Sequence, residues 1–259
     1  MSEKEMIQQQ FGKNASHYVT SKSHAKGLDL AKVVEIVKDH AASGDLLDIA
    51  TGGGHVANAL APFFKKVTAF DLTEDMLYEA ESFISSNGHK NVDFVQGDAE
   101  NTPFPDESFD VVTCRIAAHH FPAVDRFASE VYRVLKTGGL FVLVDNVAPE
   151  KNEYDEFYNM IEKKRDPSHF RAYKKSEWIT KVENAGLSTD SMFTFEKKFL
   201  YETWCKMMDL PAKEKTELST YMKAAPDPML KHFSIEFSGD DIESFKGQSI
   251  LLSAIKKSH

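Results

Sequence analysis

The sequence predicts an α/β fold in which a largely parallel sheet lies between two layers of helices. Two observations between residues 45 and 145 predict it. Short apolar runs that end in small or acidic residues alternate with longer amphipathic runs, which is the order of repeated β-α units. Apolar residues also occupy successive positions, as in Leu46-Leu47 and Val111-Val112, and this pattern indicates strands buried on both faces. With right-handed crossovers these units form a doubly wound sheet.

Five strands and three helices are predicted in this stretch. The strands cover residues 45–50, 66–71, 92–97, 109–114 and 140–145. The helices between them cover residues 55–64, 74–87 and 124–136. Thr73 offers a capping hydroxyl to the second helix, and Asn87-Gly88 is a typical helix stop. Gly138-Gly139 is predicted to end the third helix.

The pattern changes on both sides of this stretch. A helix is predicted before it, over residues 25–40. After it we predict helices over 152–164 and 176–184, a strand over 188–199, a helix over 201–222 that breaks at Pro211, and a strand over 249–256. No internal repeat or low-complexity linker interrupts the chain, so a single domain is predicted over residues 1–259.

Composition narrows the classes of function. The chain has 259 residues and a formal net charge of −9, which argues against a nucleic-acid partner because phosphate neutralisation needs clustered Lys and Arg. No apolar run approaches the ~20 residues of a membrane span, and the N-terminus has no apolar signal-peptide core. Two cysteines, Cys114 and Cys205, form no disulfide framework. We therefore expect a cytoplasmic protein without a membrane span; its oligomeric state is not predicted.

A glycine-rich turn follows the first predicted strand. Residues 48–55 read D-I-A-T-G-G-G-H, and glycines here let the backbone approach a ligand and adopt positive φ. Residues 52–57 also satisfy the loose dinucleotide pattern G-x-G-x-x-G/A. The turn alone therefore leaves a dinucleotide, another nucleotide-like ligand and no ligand all open.

Three carboxylates distinguish these ligands. Asp48, Asp71 and Asp98 end three successive strands, 23 and 27 residues apart, so they should converge on the crevice at the carboxyl ends of the strands. A dinucleotide would bring a pyrophosphate that Asp48 repels, whereas S-adenosylmethionine carries a sulfonium and an ammonium and no phosphate. Asp48 can face the ammonium, directly or through water, Asp71 can accept both ribose hydroxyls, and Asp98 can accept from the adenine amine. Backbone N–H groups of the turn can hold the ligand carboxylate.

These residues resemble the class I S-adenosylmethionine-dependent methyltransferases, in the branch that contains the ubiquinone/menaquinone-biosynthesis enzymes. The resemblance is carried by residues 48–55, by the strand ending at Asp71, by Q-G-D-A-E-N-T-P-F-P-D-E-S-F-D at 96–110 and by E-V-Y-R-V-L-K-T-G-G at 130–139. It implies a Rossmann-like seven-stranded sheet whose last strand, 249–256, is antiparallel. It also implies a helical N-terminal lid over 1–40, a cofactor-binding core over 41–146, and substrate-side helical inserts with the final strands over 147–259.

The resemblance also assigns cofactor contacts. It implies that Asp98 and Ala99 flank the adenine and that Leu72 and Met76 pack around the ribose and adenine. The full set of candidate cofactor-binding residues is Asp48, Ala50, Thr51, Gly52, Gly54, Asp71, Leu72, Met76, Asp98, Ala99 and Arg115. No metal ligands are predicted.

The acceptor side is predicted around residues 114–121. In the resembling family this segment runs beside the methyl group of the cofactor. His119 and His120 are candidate bases because histidine titrates near neutrality, and they could equally order the turn by hydrogen bonds. Tyr18, in the predicted lid, is a candidate to lie beside the sulfonium, where an aromatic face suits a cation. Arg165 and Arg171 are candidates to meet an acidic group. Aromatic and methionine side chains of the inserts could line an apolar pocket or form plain core: Tyr154, Phe157, Tyr158, Met160, Phe170, Tyr173, Trp204, Met207 and Met208.

The sequence thus predicts an enzyme that transfers a methyl group from S-adenosylmethionine to a small-molecule acceptor, with oxygen or carbon favoured as the acceptor atom. Two alternatives stay open. One is a protein of the same fold that binds the cofactor without catalysis. The other is a nicotinamide-dependent oxidoreductase, which Asp48, Asp98 and the absence of a Tyr-x-x-x-Lys pair in the core weaken.

Overall fold

The computed structural model describes residues 4–6, 8, 27–40 and 43–258. Tyr18 and most of the predicted lid lie outside the described residues. Within them the strands are β1 Asp45–Ile49, β2 Lys66–Asp71, β3 Val92–Gln96, β4 Phe109–Arg115, β5 Leu135–Val147, β6 Ser188–Leu200, β7 Glu236–Ser238 and β8 Asp241–Ile255. The helices are α1 Leu28–His40, α2 His55–Leu60, α3 Glu74–Ser86, α4 Val124–Val134, α5 Asn152–Arg165, α6 Lys175–Asn184, α7 Tyr201–Lys206, α8 Ala212–Lys223 and α9 Asp227–His232. Short 3₁₀ turns cover Ala61–Phe63 and Ala118–His120.

The strands form one sheet in the order β3-β2-β1-β4-β5-β8-β6, with short β7 paired to β8. Strands β1 to β5 pair in parallel. Strand β8 lies antiparallel between β5 and β6. The strand order reverses at β1, between β2 and β4, and such a switch point opens a crevice at the carboxyl ends of the strands. The predicted doubly wound sheet with an antiparallel last strand is confirmed.

Successive apolar residues of the strands divide between the two faces of the sheet. Leu47 and Val112 pack on the face covered by α4 and α6, and Leu46 and Val111 on the face covered by α1, α2 and α3. All four side chains are fully buried, as the predicted parallel strands require. A third cluster joins α5, α7, α8 and α9 to β8 and contains Tyr158, among others. This helical cap lies on the side of the sheet formed by β8 and β6.

Several predicted boundaries were wrong, among them those of α4, β5 and β8. Helix α4 ends at Val134 and not near Gly138-Gly139, because Leu135 already pairs with Phe109 at the start of β5. Strand β8 begins at Asp241, eight residues before the predicted start, because its first half pairs with β6 and β7 through alternating polar and apolar positions. Helix α9 and strand β7 were not predicted. None of the helices in the described part of the chain has the length and apolarity that crossing a bilayer requires.

Candidate functional site

A cleft with an empty volume of about 1030 Å³ opens at the carboxyl ends of β1, β2 and β4. It lies at the switch point, where α/β sheets bind their ligands. Among the candidate residues of the sequence, those that line it are Asp48, Ala50, Thr51, Gly52, Asp71, Leu72, Met76, Asp98, Ala99, Arg115 and His120. The three strand-end carboxylates are therefore brought together around one cavity.

The backbone takes unusual conformations where β1 and β4 enter the cleft. Ala50 has φ 52° and Ile116 has φ 53°, a left-handed conformation that non-glycine residues rarely adopt. Gly52 follows with φ 53°. A side chain added at Gly52 would meet no atom within 4 Å, so its bare Cα faces open space. Positive φ at two neighbouring strand ends is backbone strain of the kind that clusters at functional sites.

Asp48 lies at the base of the cleft with 1 % of its surface exposed. One carboxylate oxygen accepts a hydrogen bond from Thr51 Oγ1 and the other from Thr113 Oγ1, both at 2.7 Å. Burial raises the pKa of Asp48 to about 6, although these hydrogen bonds oppose the rise. A cation at the mouth of the cleft would favour the ionised carboxylate, so the site suits a positively charged group.

Asp71 connects the end of β2 to the glycine turn. Its Oδ2 accepts from the Gly52 N–H at 2.9 Å and its Oδ1 accepts from the Thr73 N–H at 3.0 Å. Burial raises the pKa of Asp71 to about 6 against these bonds. The Leu72 N–H also acts on this carboxylate, but two oxygens offer about four lone-pair positions in all, so acceptor capacity stays open for a hydroxyl donor. This geometry fits the predicted bidentate contact with a diol.

Asp98 has a partner that the sequence did not predict. Lys4 Nζ lies 2.5 Å from Asp98 Oδ2 and 2.6 Å from Glu100 Oε2. Asp98 Oδ1 accepts from the Glu100 N–H at 2.9 Å. A ligand amine at Asp98 would share this carboxylate with Lys4. Nothing in the sequence marks Lys4, since it is one of several charged residues in a polar segment.

Gly54 does not line the cleft. It precedes α2 with φ 77°, and a Cβ at this position would lie 2.8 Å from Ile84 Cδ1 and 3.1 Å from Ala80 Cβ of α3. Its bare Cα lets α3 approach the turn. The structure therefore places Gly54 in helix packing and not at the predicted ligand contact.

His119 lies behind the cleft lining, with 6 % of its surface exposed. Its Nδ1 is 2.6 Å from Asp145 Oδ1, and its ring centroid lies 4.1 Å from that of His120. Burial opposes protonation, yet the Asp145 charge and hydrogen bond raise the pKa of His119 above its ordinary value. His119 is thus the more basic of the two histidines but is separated from the cavity.

His120 does line the cleft. Its Nδ1 lies 3.0 Å from the Ser168 carbonyl oxygen, which fixes the ring. Burial, followed by the charge of His119, lowers the pKa of His120 to about 4. It is therefore neutral at pH 7.

Asp145 was missed as a site residue, although the sequence placed it at a strand end. It follows Val144, the last residue of β5 that pairs with β4, so it lies at the same end of the sheet as the other strand-end acids while still paired with Ile250 of β8. The rule that identified Asp48 and Asp71, an acid closing a buried strand, would have found it. Asn146 and Lys197, described below, carried no comparable signal.

The candidate arginines are held by acids of the protein. Arg165 pairs with Glu162 at 2.9 Å, and Arg171 pairs with Asp155 at 2.9 Å. Arg115 Nε lies 2.9 Å from Asp29 Oδ2 and forms part of the cleft wall. Only Arg115 of the three borders the cavity.

The aromatic residues of the inserts mainly form core. Phe157, Tyr158 and Trp204 are buried in the cluster of the helical cap, and none of them lines the cleft. Met160 and Phe170 are exposed. Across the described residues, no group of three or more His, Cys, Asp or Glu side chains is placed to hold a metal ion.

Comparison with known proteins gives one consistent result. A family profile described as "Methyltransferase domain" matches residues 47–143. The chain is 39 % identical to the uncharacterized methyltransferase YcgJ of Bacillus subtilis over 95 % of this chain and 98 % of that protein. It is 30 % identical to the demethylmenaquinone methyltransferase of Chlorobaculum tepidum over 60 % of this chain and 71 % of the relative. A Bacillus halodurans crystal structure described as a methyltransferase superposes with a TM-score of 0.87 at 51 % identity, covering 90 % of this chain and all of that one.

Proposed function

This chain belongs to the methyltransferases of the class I fold, and we propose that it transfers the methyl group of S-adenosylmethionine to a small-molecule acceptor. One observation carries the proposal beyond family membership. Asp48, Asp71 and Asp98 converge on one cleft at the switch point, as a cationic ligand without phosphate requires.

The residues present fit the cofactor. Asp71 keeps acceptor positions for the ribose hydroxyls, and Asp48 offers a negative charge at the base of the cleft. Leu72 and Met76 supply apolar walls, and the bare Cα of Gly52 leaves room beside them. When bound, S-adenosylmethionine supplies a methyl group already activated on a sulfonium. The protein's own contribution is therefore to bind, to hold the acceptor atom in line and to exclude water.

An acceptor that must lose a proton needs a base near the cleft. His120 is our candidate for contact with the acceptor, because it lines the cavity and is neutral at pH 7. His119 is proposed as a positioning residue whose charge adds to the effect of burial in lowering the pKa of His120. Tyr18 remains a candidate for the sulfonium side, outside the described residues. We favour oxygen or carbon as the acceptor atom, because the amino-methylating signature N-P-P-Y is absent after the fourth strand.

Binding is tested by thermal denaturation and calorimetry with S-adenosylhomocysteine, NAD and NADP. We expect stabilisation by S-adenosylhomocysteine alone. Stabilisation by a dinucleotide alone would overturn the cofactor proposal. The variant Asp71→Asn is the matched check, because it should weaken S-adenosylhomocysteine binding without creating dinucleotide binding.

Turnover is tested by S-adenosylhomocysteine release with panels of phenols, quinols, thiols and a short duplex DNA. Release with a phenol or quinol and none with DNA supports the proposal. Tight cofactor binding without any turnover would favour the second candidate function, a cofactor-binding protein without catalysis. That candidate has one observation in its favour: His119, the more basic histidine, lies outside the cleft lining.

A further inference from the structure

Lys197 reaches from the edge of the sheet toward its centre. It lies on β6, the edge strand, in register with Gly247 of β8. Its Nζ donates to Asn146 Oδ1 of β5 at 3.1 Å, on the far side of β8. Asn146 is in register with Ser249, so the lysine crosses over a glycine and a serine, the two small side chains that leave it room. An edge-strand lysine ordinarily extends into water, which makes this inward direction informative.

The acidic side chains around Lys197 already form ion pairs with other residues. Asp29 pairs with Arg115, Asp145 with His119, and Glu162 with Arg165. Among the described residues, the ammonium of Lys197 has the neutral Asn146 oxygen as its one hydrogen-bond partner, although it carries three donors. Burial, followed in part by the charge of Arg115, lowers the pKa of Lys197, while Asp29 raises it. The lysine head is therefore a poorly compensated cation inside the protein.

Two buried hydroxyls lie on the same side of the sheet. Within the described part of the chain, Ser249 Oγ has no hydrogen-bond partner, and the Tyr158 hydroxyl has the Glu162 carboxylate as its polar neighbour. Ser249 lies opposite Asn146, and the Tyr158 hydroxyl lies 3.5 Å from the Cβ position of Gly247. Buried hydroxyls are rarely left unpaired, so the clustering of Ser249 with Lys197 indicates a polar ligand.

Carboxylate oxygens lie beside these donors. Asp145 Oδ2 is buried and has no partner among the described residues, whereas the Glu162 carboxylate acts on the Tyr158 hydroxyl. Both carboxylates act on Lys197 and on Tyr158, which places all four groups in one neighbourhood. Arg115 links it to the cleft, since Arg115 lines the cavity and also acts on Lys197. The neighbourhood offers donors for an anion.

We propose that Lys197 anchors the anionic group of the methyl acceptor, and that the acceptor is a hydroxy acid whose carboxylate meets Lys197, Ser249 and Tyr158. Its hydroxyl, the group to be methylated, then faces the cleft, where His120 is the proposed base. This inference rests on the proposed function, and it adds the chemical class of the acceptor. It assigns specificity to strands β6 and β8, next to Arg115 in the wall of the cleft.

The test compares acids with their methyl esters. Matched pairs of hydroxybenzoates and hydroxycinnamates, each as free acid and as methyl ester, are assayed for S-adenosylhomocysteine release with the wild-type protein. We expect kcat/KM to favour the acid by at least ~10-fold, the worth of one charge-assisted hydrogen bond. Lys197→Met should raise KM for the acid by about 10- to 100-fold and change the ester by less than about twofold.

Lys198→Met is the matched control. Lys198 is the next residue on the same strand, is exposed and pairs with Glu236 at 2.6 Å, so its loss should leave the acid-to-ester ratio unchanged. Lys197→Gln keeps a hydrogen-bond donor without the charge and serves if Lys197→Met is unstable in thermal denaturation. It should lose the preference for the acid as well.

Three results would overturn the inference. The first is an equal kcat/KM for acid and ester with the wild-type protein, and the second is an unchanged acid-to-ester ratio in the Lys197 variants. The third is that no acid is turned over and none binds, by calorimetry, to the protein saturated with S-adenosylhomocysteine. Failure of the proposed function looks different, because S-adenosylhomocysteine itself would then not bind.

Discussion

Replacing Asp48 by Asn tests whether this strand-end carboxylate strengthens ligand binding while it lowers the stability of the folded protein. Two partners of this carboxylate are the hydroxyls of Thr51 and Thr113, and the backbone N–H of Ala57 also acts on it. A hydroxyl can accept as well as donate, so the amide nitrogen of Asn can donate to one threonine while its oxygen accepts from the other and from Ala57. The substitution therefore removes the buried charge and keeps a partner for each of these groups.

The magnitude follows from the pKa. Burial raises the pKa of Asp48 from 3.8 to about 6, and that gap corresponds to about 3 kcal/mol against the ionised form. A carboxyl whose pKa is raised on folding stabilises the protein below pH 3.8, and this contribution is lost as pH rises through about 6. At pH 8 the wild-type protein bears the whole penalty, and at pH 4.5 it bears about 1 kcal/mol. Asp48→Asn should thus raise the free energy of unfolding by about 1–3 kcal/mol at pH 8 and by clearly less at pH 4.5.

Urea unfolding at both pH values, followed by the fluorescence of the buried Trp178 and Trp204, measures this difference. Calorimetry with S-adenosylhomocysteine should show at least ~10-fold weaker binding by the same variant, because a charge-assisted contact is lost. A variant that is less stable than wild type by the same amount at both pH values would refute the reasoning.

Asp71→Asn is the control for Asp48→Asn. The pKa of Asp71 is also raised to about 6, so its pH-dependent contribution is the same. Its partners, however, are the backbone N–H groups of Gly52, Thr73 and Leu72, which can only donate. The amide nitrogen of Asn would face one of them, and we expect Asp71→Asn to be less stable than Asp48→Asn by about 1–3 kcal/mol.

Two further predictions concern the glycine turn and the histidine pair. Gly54→Ala should lower the urea midpoint, because the new methyl group meets α3 and the residue keeps a positive φ. Gly52→Ala should act more on the calorimetric affinity for S-adenosylhomocysteine, because its Cα faces the open cleft. If Gly52→Ala lowered the midpoint more and Gly54→Ala weakened binding more, this assignment would be contradicted. Asp145→Asn should remove the charge that raises the pKa of His119, so that the neutral ring no longer lowers the pKa of His120, and the acid limb of the pH–rate profile should move to higher pH. An acid limb that stays in place while turnover falls would mean that Asp145 has only a structural role.

The parallel core could be predicted from the sequence because its signals are local. Leu46-Leu47 and Val111-Val112 report burial on both faces, and each strand ends at a small or acidic residue. Strand β2 was predicted with its observed bounds, and the starts of β1, β3 and β4 were as well. The first half of β8 was missed because its pairing with β6 depends on a partner about fifty residues away and not on an apolar run.

The same limit applies to the candidate site. Acids at strand ends were predictable, since topology alone brings the carboxyl ends of parallel strands to one edge. It was not predictable that His120 lines the cleft and His119 does not, because this depends on the different directions of neighbouring residues in a 3₁₀ turn. The inward direction of Lys197 was also hidden, since it depends on Gly247 and Ser249, which lie in another strand.

The position of β8 has a consequence for how the chain is made. This strand lies between β5 and β6, yet it follows β6 in the sequence by forty residues. As the polypeptide leaves the ribosome, β5 presents an open edge, and β6 has no place in the sheet until residues 241–255 have emerged. The nascent protein therefore passes through an interval with an unpaired hydrophobic strand edge, a state prone to aggregation. Slow translation between β6 and β8 should lengthen that interval and lower the yield of soluble protein.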